Sequence, residues 1–372
     1  MSKNKWTNKD IFSLMEEWAP KHLAYEWDNV GMQVGSHNRP VKKIMVTLDV
    51  MESVVDEAIS EQVDLIIAHH PLLFKPIKRL NIDQSKGRIL QKLLQHNITV
   101  YAAHTNLDIA DGGVNDLLLD ALDIKQRQIL IKTYEEPLYK LAVYVPATHQ
   151  KQVMDALSLK GVGHIGNYSH CTFQTKGQGT FMPLEGTNPF IGSQNKIEHV
   201  DEVKLETIVQ HSKRKDAIIA MLGAHPYEEV AYDLYPLENK GKAYGIGRIG
   251  ILKEKVSLQS FCEQVKQALS VPAVRVVGDS QKEIKKIAIV GGSGEKYINQ
   301  AKQQGADVLI TGDMTFHTAQ DALQMGLAII DPGHHVEKVM IEGTINYLQR
   351  KVNNEQLEII PSKISTEPFQ FI

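Results

Sequence analysis

The chain has 372 residues, of which 42% are hydrophobic and 23% are charged, and its formal net charge at pH 7 is −3. This length is enough for two domains or one elaborated domain, and the near-neutral charge without a long basic run argues against a protein whose main role is to bind nucleic acid. An anionic substrate is not excluded, because a bound metal ion can supply positive charge locally.

The cysteines and the N-terminal segment indicate the compartment. Cys171 and Cys262 are far apart in the sequence and form neither a disulfide framework nor a CxxC zinc motif. The segment Met1 to Asp10 is polar and lacks the apolar core of a signal peptide, and no apolar run approaches the roughly 18 residues of a membrane span. We therefore expect a cytoplasmic protein without a membrane partner.

The first predicted element is a capped helix. Thr7 is the expected N-cap, with Asp10 three residues further on. The next segment, Trp27 to Gly35, contains glycines that allow a tight turn. Asp28 and Asn29 within it are expected to hydrogen-bond to the local backbone.

A βαβ pattern follows, and its second strand ends in two histidines. Lys43 to Val50 is the first clear strand, a helical repeat covers Glu52 to Gln62, and Leu65 to Ala68 has the composition of a buried parallel strand. His69 and His70 stand at the carboxyl end of that strand, where ligands bind in open α/β sheets. Two imidazoles there can hold a metal ion, and the alternative is that they cap the strand by hydrogen bonds to the backbone.

A third strand is predicted over Ile98 to Ala103, and polar residues again follow it. Asp108 can give a metal one or two oxygens, and the alternative is an N-cap or turn before the next helix, Gly113 to Leu122. His104 is either a group that orients a ligand by a hydrogen bond or a structural histidine.

The pattern then changes to roughly β-α-β-β-α-β, which is typical of a ferredoxin-like α+β domain. We therefore predict an inserted domain over residues 131–242, within an α/β domain formed by residues 1–130 and 243–372. The four glycines between Gly241 and Gly250 are interpreted as the linker that returns the chain to the first domain. The polar segment Ala224 to Glu229 is interpreted as a turn, with a small-molecule cleft as the alternative.

After the insert the α/β rhythm resumes. The segment Gly291 to Gly294 precedes a helix, but its spacing matches neither the Walker motif nor GxGxxG, so a tight turn is favoured over a phosphate cradle.

A strand over Asp307 to Thr311 leads to His317 at the start of the next helix. His317 is therefore a further candidate polar group near a strand end.

The last strong strand, Leu327 to Ile330, is followed by His334 and Glu337 at a predicted helix start. Side chains three residues apart on a helix lie on the same face, so both can converge on one point. His335 can replace His334 in the same arrangement.

Three strand ends thus carry metal-ligand residues, namely His69, His70, Asp108, His334 and Glu337. Neutral imidazoles and carboxylates suit divalent zinc, iron, manganese or nickel. Three histidines and two carboxylates exceed one tetrahedral site, but they fit two ions about 3.5–4 Å apart.

Six segments resemble the Nif-three-like family, whose members are also named GTP cyclohydrolase 1 type 2 homologues. They are WDNVGMQVG (Trp27 to Gly35), AHHP (Ala68 to Pro71), HTNLD (His104 to Asp108), YGIGRIG (Tyr244 to Gly250), TGDMTFH (Thr311 to His317) and DPGHHVE (Asp331 to Glu337). The resemblance implies a two-part α/β domain around a mixed or parallel sheet and a dimetal centre on the five residues above. Glu337 is the least secure ligand, because its position varies among family members.

The resemblance also bears on the insert and on assembly. The segments GVGHIGN (Gly161 to Asn167) and PLEG (Pro183 to Gly186) imply that the insert is the PII-like or CutA-like domain that some members carry. The family likeness further implies a toroidal homohexamer with the metal sites facing an inner cavity.

Two functions are compatible with these residues. The first is a metal-dependent hydrolase with two divalent ions, zinc before the other candidates, and with His317 or His104 as general acid or base. The family name implies attack on a purine ring carbon, but a phosphoester or a cyclic amide would suit the site equally well. The second is a metal-binding regulatory scaffold whose PII-like insert senses a small molecule, and a metallochaperone with readily exchanged metal is a third.

Overall fold

The computed structural model describes residues 5–352 and 357–372. The chain divides into two compact units, one formed by Met1–Thr133 together with Tyr244–Ile372 and the other by Tyr134–Ala243. Residues 1–4 lie outside the described residues. They begin the segment Met1 to Asp10, for which the sequence predicts no signal peptide. Within the described part, no helix combines the length and the apolar character needed to cross a membrane.

The first part of the discontinuous unit alternates strands and helices. Its strands are β1 (Trp6–Thr7), β2 (Gly31–Val34), β3 (Pro40–Val41), β4 (Lys43–Thr47), β5 (Leu65–Ala68) and β6 (Thr99–Ala102). Its helices are α1 (Asn8–Trp18), α2 (Glu52–Ser60), α3 (Ser85–Gln95), α4 (Thr105–Ile109) and α5 (Val114–Ala121), with a 3₁₀ helix over Lys21–Leu23. The predicted capping box is present, because the Thr7 side chain accepts from the Asp10 backbone N–H and the Asp10 carboxylate accepts from that of Thr7.

The inserted unit has the predicted β-α-β-β-α-β order. Its elements are β7 (Arg127–Pro146), α6 (Gln150–Leu159), β8 (Thr172–Phe181), β9 (Glu198–Gln210), α7 (Arg214–Ala224) and β10 (Tyr232–Ser257), with a 3₁₀ helix over His211–Lys213. The strands lie in the order β10-β7-β9-β8, and β9 is antiparallel to both of its neighbours. This is a ferredoxin-like arrangement, and its core contains Leu141, Val153, Leu205 and Met221.

The interpretation of Gly241 to Gly250 as a linker is wrong, because these residues lie within the long strand β10. The glycines serve close packing there. A Cβ on Gly245 would lie 2.0 Å from the carbonyl oxygen of Ile131, and one on Gly250 would lie 2.5 Å from a methyl carbon of Ile124. Glycine signals either chain flexibility or close approach, and composition alone does not separate the two.

The second part of the discontinuous unit completes two sheets. Its strands are β11 (Arg275–Val277), β12 (Glu283–Ser293), β13 (Val308–Gly312), β14 (Ala328–Asp331) and β15 (Glu358–Pro361). Its helices are α8 (Leu258–Leu269), α9 (Ile298–Gln303), α10 (Phe316–Gln324) and α11 (Val339–Lys351), with 3₁₀ helices over Glu295–Tyr297 and His334–Lys338. The predicted α/β architecture around a mixed or parallel sheet is observed, but it uses two large mixed sheets rather than one, beside the two-stranded pair of β1 and β3.

The strand order explains where a site can form. One sheet has the order β15-β4-β5-β6-β2, in which only β2 is antiparallel to its neighbour. In the other, β12, β13 and β14 are parallel. Fully buried strands such as β5 leave polar groups only at their ends, so chemistry is confined to the residues that follow the strands.

Candidate metal centre

Residues that follow parallel strands of both sheets meet in one cluster of histidines and acids. His69 and His70 follow β5, and Asp108 lies on α4 after β6. His334 and Glu337 come from the other sheet, on the 3₁₀ helix that follows β14. The structure therefore brings all five sequence-predicted ligands together.

Glu337 lies at the centre of the cluster. Its Oε2 atom is 3.1 Å from Nε2 of His70, 3.1 Å from Nε2 of His334 and 3.6 Å from Nε2 of His69. Side chains three apart eclipse each other in a 3₁₀ helix, which is why His334 and Glu337 reach the same point. The residue that sequence reasoning made the least secure ligand thus makes the most contacts with the other ligands.

Ligand-type atoms of the cluster fall into three groups, within each of which they lie within 4.8 Å of one another. The groups are His69, Asp108 and Glu337; His70, His334 and Glu337; and His69, His70 and His104. The first two groups share Glu337, which is the arrangement expected of a carboxylate between two adjacent ions.

His69 and Asp108 provide the test of whether a cation fits. His69 is fully buried, and its Nδ1 donates to the carbonyl oxygen of Ala103 at 2.7 Å. Its Nε2 and Oδ1 of Asp108 are 3.5 Å apart, and both are buried without a hydrogen-bond partner among the described residues. Burial lowers the pKa of His69 and so favours a neutral ring with a free lone pair. Two buried acceptors that face each other are costly unless a cation lies between them.

The other three histidines of the cluster are each held by a carboxylate at Nδ1. The pairs are His70 with Asp49 at 2.7 Å, His104 with Asp28 at 2.9 Å and His334 with Asp313 at 2.6 Å. A carboxylate accepts a hydrogen bond, so Nδ1 carries a proton, and a metal ion would bind at the other ring nitrogen. Such partners fix the ring orientation and raise the basicity of metal-binding histidines.

Sequence reasoning missed these three aspartates. Asp28 was expected to bond to its local backbone, and it does accept from the N–H of Asn29 at 2.8 Å. It also accepts from His104 and from both the backbone N–H and the hydroxyl of Thr105, which was not expected. Asp49 and Asp313 follow β4 and β13, so the strand-end rule that identified the ligands could also have found them. Asp28 carries no such signal, because it does not follow a strand of either sheet.

Burial and neighbouring charges strongly shift the pKa values of the groups in the cluster. Burial lowers the pKa of His70, but hydrogen bonds to Asp49 and Glu337 outweigh it and raise the pKa to about 10. The bond to Glu337 raises the pKa of His334 to about 9. Burial, and then the charge of Glu337, raise the pKa of Asp108. Strongly perturbed groups that converge in this way are characteristic of functional sites.

A glycine at an irregularity near the end of β12 makes room for Glu337. Gly292 has φ +60°, and a Cβ on it would lie 2.5 Å from Oε1 of Glu337. Asn115 donates to the backbone carbonyl of Asp108 and accepts from the N–H of Gly291, both at 2.9 Å, so one buried amide ties a proposed ligand to this strand end. The tight-turn interpretation of Gly291 to Gly294 is wrong for Gly291 and Gly292, which lie within β12 and are there for close packing.

Two further histidines were considered in the sequence. His317 is exposed on α10, with Nδ1 3.3 Å from Oε1 of Gln320, and belongs to none of the three ligand groups. His335 is half-buried and also lies outside those groups. The structure therefore brings His334, and not His335, into the cluster.

A cavity of about 770 Å³ opens beside the cluster. His70 and His334 form part of its wall, together with Arg275 and Phe369. Thr366, near the C-terminus, donates to the Asp49 carboxylate at 2.5 Å, so the C-terminal segment borders the cavity. The volume is adequate for a small-molecule substrate.

Comparison with known proteins identifies one matching family and relatives that share a single name. The sequence profile of the family described as Duf34/NIF3 (NGG1p interacting factor 3) matches residues 6–368. Over 364 residues the chain is 50% identical to a GTP cyclohydrolase 1 type 2 homolog of Halalkalibacterium halodurans, which covers 97% of this chain and 98% of the relative. The protein of the same name from Bacillus subtilis is 50% identical over 366 residues, 98% of each chain.

Two solved structures are similar to this chain over its whole length. The crystal structure of a Bacillus cereus protein related to NIF3 has a TM-score of 0.92 and 49% identity, with 100% of both chains covered. A Staphylococcus aureus protein has a TM-score of 0.77 and 34% identity, also over 100% of both chains.

Proposed function

Because the chain belongs to the DUF34/NIF3 family, we propose that its histidine and acid cluster holds two divalent metal ions, with His69, His70, Asp108, His334 and Glu337 as ligands. The observation that carries the proposal is a pair of buried atoms on His69 and Asp108, 3.5 Å apart, for which the described part of the chain offers no hydrogen-bond partner. The two ligand groups that share Glu337 support two ions rather than one.

The donor set also bears on the choice of metal. Imidazole nitrogens with carboxylate oxygens suit zinc, and iron, manganese and nickel are the alternatives. We propose zinc first, because histidine nitrogens combined with a carboxylate oxygen are a common ligand set of catalytic zinc sites.

We propose hydrolysis as the reaction, supported by the name of the curated relatives, GTP cyclohydrolase 1 type 2 homolog. Divalent ions bound here would supply Lewis acidity and stabilise developing negative charge. His104 is the group proposed to move a proton, because Asp28 fixes its ring orientation through Nδ1 and its ring lies in one ligand group with His69 and His70. His317 has no such contact with the cluster, and its role stays a prediction.

A metal-binding regulatory scaffold is the second candidate. It is supported by the inserted unit, whose ferredoxin-like strand order matches the PII-like or CutA-like domain that the sequence resemblance implies and which has a cavity of its own. A toroidal homohexamer and a cytoplasmic location stay predictions from the sequence.

The proposal is tested by elemental analysis of the purified protein. We expect about two divalent ions per chain in the wild type and none retained in the His69→Ala/His70→Ala variant. His170→Ala, which removes an exposed histidine of the inserted unit, is the control and should keep the metal. Metal retained by the double variant at the wild-type level would contradict the proposed centre.

Two adjacent histidines allow a sharper version of this test. His334→Ala should lose metal, because Nε2 of His334 is 3.1 Å from Glu337, whereas His335→Ala should retain it. The opposite result would assign the ligand role to His335.

The protein loaded with its native metal is then assayed on nucleotides, phosphoesters and lactams. Hydrolysis that disappears in the double variant supports the enzyme, and metal binding without hydrolysis of any of these supports the scaffold.

A further inference from the structure

The inserted unit contains a cavity of about 600 Å³ whose lining residues all lie between Tyr144 and Ala231. Four aromatic residues line it, namely Tyr144, Phe181, Phe190 and Tyr227. The ring of Tyr227 is 5.7 Å from that of Phe181 and 6.5 Å from that of Phe190. The cavity has the size of a small-molecule site and is lined largely by apolar and aromatic side chains.

The charged residues of this cavity are all acidic. They are Glu185, Glu202, Glu228 and Glu229. Among the described residues that line it there is no lysine, arginine or histidine. The cavity therefore combines negative charge with aromatic faces, which are themselves electron-rich.

Two of the carboxylates are built into the wall. Glu228 accepts from the backbone N–H of Asn188 at 3.1 Å, which holds it against the loop that follows β8. Glu202 lies over Gly179, where a Cβ would come within 2.1 Å of its Oε2 atom. The glycine on β8 is thus the residue that lets the Glu202 carboxylate occupy its place.

The histidine that packs on Tyr227 does not offset these charges. The ring of His225 is 5.0 Å from that of Tyr227. Its Nε2 donates to the carbonyl oxygen of Tyr144 at 2.9 Å, and its Nδ1 accepts from the backbone N–H of Tyr227 at 3.1 Å. A ring that donates at one nitrogen and accepts at the other is neutral, and burial lowers the pKa of His225 further.

Tyr227 belongs to the aromatic wall, and its hydroxyl oxygen is buried. Burial, and then the hydrogen-bonding interaction with Glu202, raise the pKa of Tyr227, so the hydroxyl keeps its proton. The Glu202 carboxylate, and not the Tyr227 hydroxyl, therefore carries the negative charge in this part of the wall.

We propose that this cavity binds a small organic cation, an amine or quaternary ammonium with an aromatic or aliphatic body. The carboxylates supply charge complementarity, the rings supply cation–π contacts, and Met182 and Leu184 cover the apolar body. A bare inorganic cation would not use the aromatic wall, and an anion would face only carboxylates. The site lies wholly within the inserted unit, so it does not depend on the proposed metal centre.

Calorimetric titration of the full chain with benzyltrimethylammonium tests the proposal, with phenylacetate as the anion of similar size. We expect saturable binding of the cation at one site per chain and none of the anion. Glu202→Gln should weaken binding about fivefold or more, because it removes a charge beside the ligand while keeping the shape of the side chain. Phe190→Leu, at an exposed position, should weaken it severalfold by removing a ring.

The control is Glu206→Gln, on the same strand as Glu202, whose carboxylate pairs with Lys204 and does not line the cavity. It should bind the cation like the wild type, and circular dichroism should show all variants folded. Lack of saturable cation binding, equal binding of phenylacetate, or equal loss in Glu202→Gln and Glu206→Gln would overturn the proposal. Metal content is measured in the same samples and should not change, which separates a failure of this site from a failure of the metal centre.

Discussion

At the scale of single residues, the geometry of the proposed metal centre depends on what holds each imidazole. All four histidines of the cluster use Nδ1 for a backbone carbonyl or a carboxylate, at 2.6–2.9 Å. A ring held in this way loses little rotational freedom when it binds a metal, and its tautomer is already correct. The aspartates therefore matter to metal affinity although they are not proposed as ligands.

Asp49 provides the clearest test of this idea, because its carboxylate binds Nδ1 of His70 and also accepts from Thr366. We expect Asp49→Ala to lower metal affinity about 10- to 100-fold, measured by competition with a chromophoric chelator. The control is Asp56→Ala on α2, which removes an exposed carboxylate paired with Lys92 and should leave affinity unchanged. Unchanged affinity in Asp49→Ala would show that the anchoring is not needed.

Gly292 tests the close packing behind Glu337. Gly292→Ala should displace Glu337, since the new Cβ would lie 2.5 Å from Oε1, and we expect metal affinity to fall more than about tenfold. Alanine at positive φ also costs about 1 kcal/mol of folding free energy by itself. Gly326→Ala isolates that cost, because Gly326 has φ +71° and its Cβ would meet only Nζ of Lys302, at 3.6 Å. Chelator competition and urea unfolding of both variants make the comparison, and equal loss of metal affinity would contradict the packing role.

At the scale of elements, a buried arginine ties β10 to α5 and to the residue that follows α4, the helix that carries Asp108. The Arg248 guanidinium donates to both oxygens of Asp116 on α5, at 3.0 and 2.9 Å, and to the carbonyl of Ala110 at 3.1 Å. Asn115, next to Asp116, holds the backbone of Asp108. The YGIGRIG segment that carries the family resemblance thus contributes a bidentate ion pair one helix away from a proposed ligand.

Removal of this arginine should be costly. Arg248→Met would remove the bidentate partner of the buried Asp116 carboxylate, which would keep only Arg127 at 3.4 Å and the backbone N–H of Gly112 at 2.8 Å. We expect a loss of about 3 kcal/mol in the free energy of unfolding, measured with urea, at the low end of the range for a broken buried pair. Arg88→Met, which breaks the more exposed pair with Glu52, is the comparison and should lower the free energy of unfolding far less. Similar losses for the two variants would show that burial does not set the strength of the Arg248 pair.

At the scale of the whole molecule, the chain has two compact units, and the proposed metal ligands all belong to the discontinuous one. Four of these ligands come from two segments separated by more than two hundred residues, with His70 and Glu337 267 positions apart. A metal held by both segments would bind the folded unit and not the unfolded chain, so it should stabilise the fold by mass action.

Removal of the metal should therefore lower thermal stability. With free zinc at about 100 times its dissociation constant, we expect about 2.7 kcal/mol of added stability for the wild type relative to the chelator-treated protein. Scanning calorimetry with and without zinc measures it. The His69→Ala/His70→Ala variant should show no such difference, and a shift of the same size in that variant would mean that zinc acts elsewhere.

The sequence by itself determined the kind of fold, the family and the residues able to bind a metal. Periodicity identified the strands, and the ligand candidates follow from a rule that holds for any parallel sheet, namely that polar groups collect at the carboxyl ends of buried strands. The family resemblance is confirmed by a profile match over residues 6–368. Local composition also gave one wrong prediction, a linker over glycines that lie in strand β10. Close packing and chain flexibility both favour glycine, so composition does not separate them.

Only the tertiary structure decided how those candidates are used. In the structure Glu337 lies between three histidines, and His334 rather than His335 belongs to the cluster. His317 is exposed, and Asp28, Asp49 and Asp313 each accept a hydrogen bond from a histidine ring of the cluster. The physical reason is distance along the chain: Asp28 and His104 are 76 positions apart and Glu337 and His70 are 267 apart. A hydrogen bond forms within about 3 Å, and local periodicity does not encode which remote segments come that close.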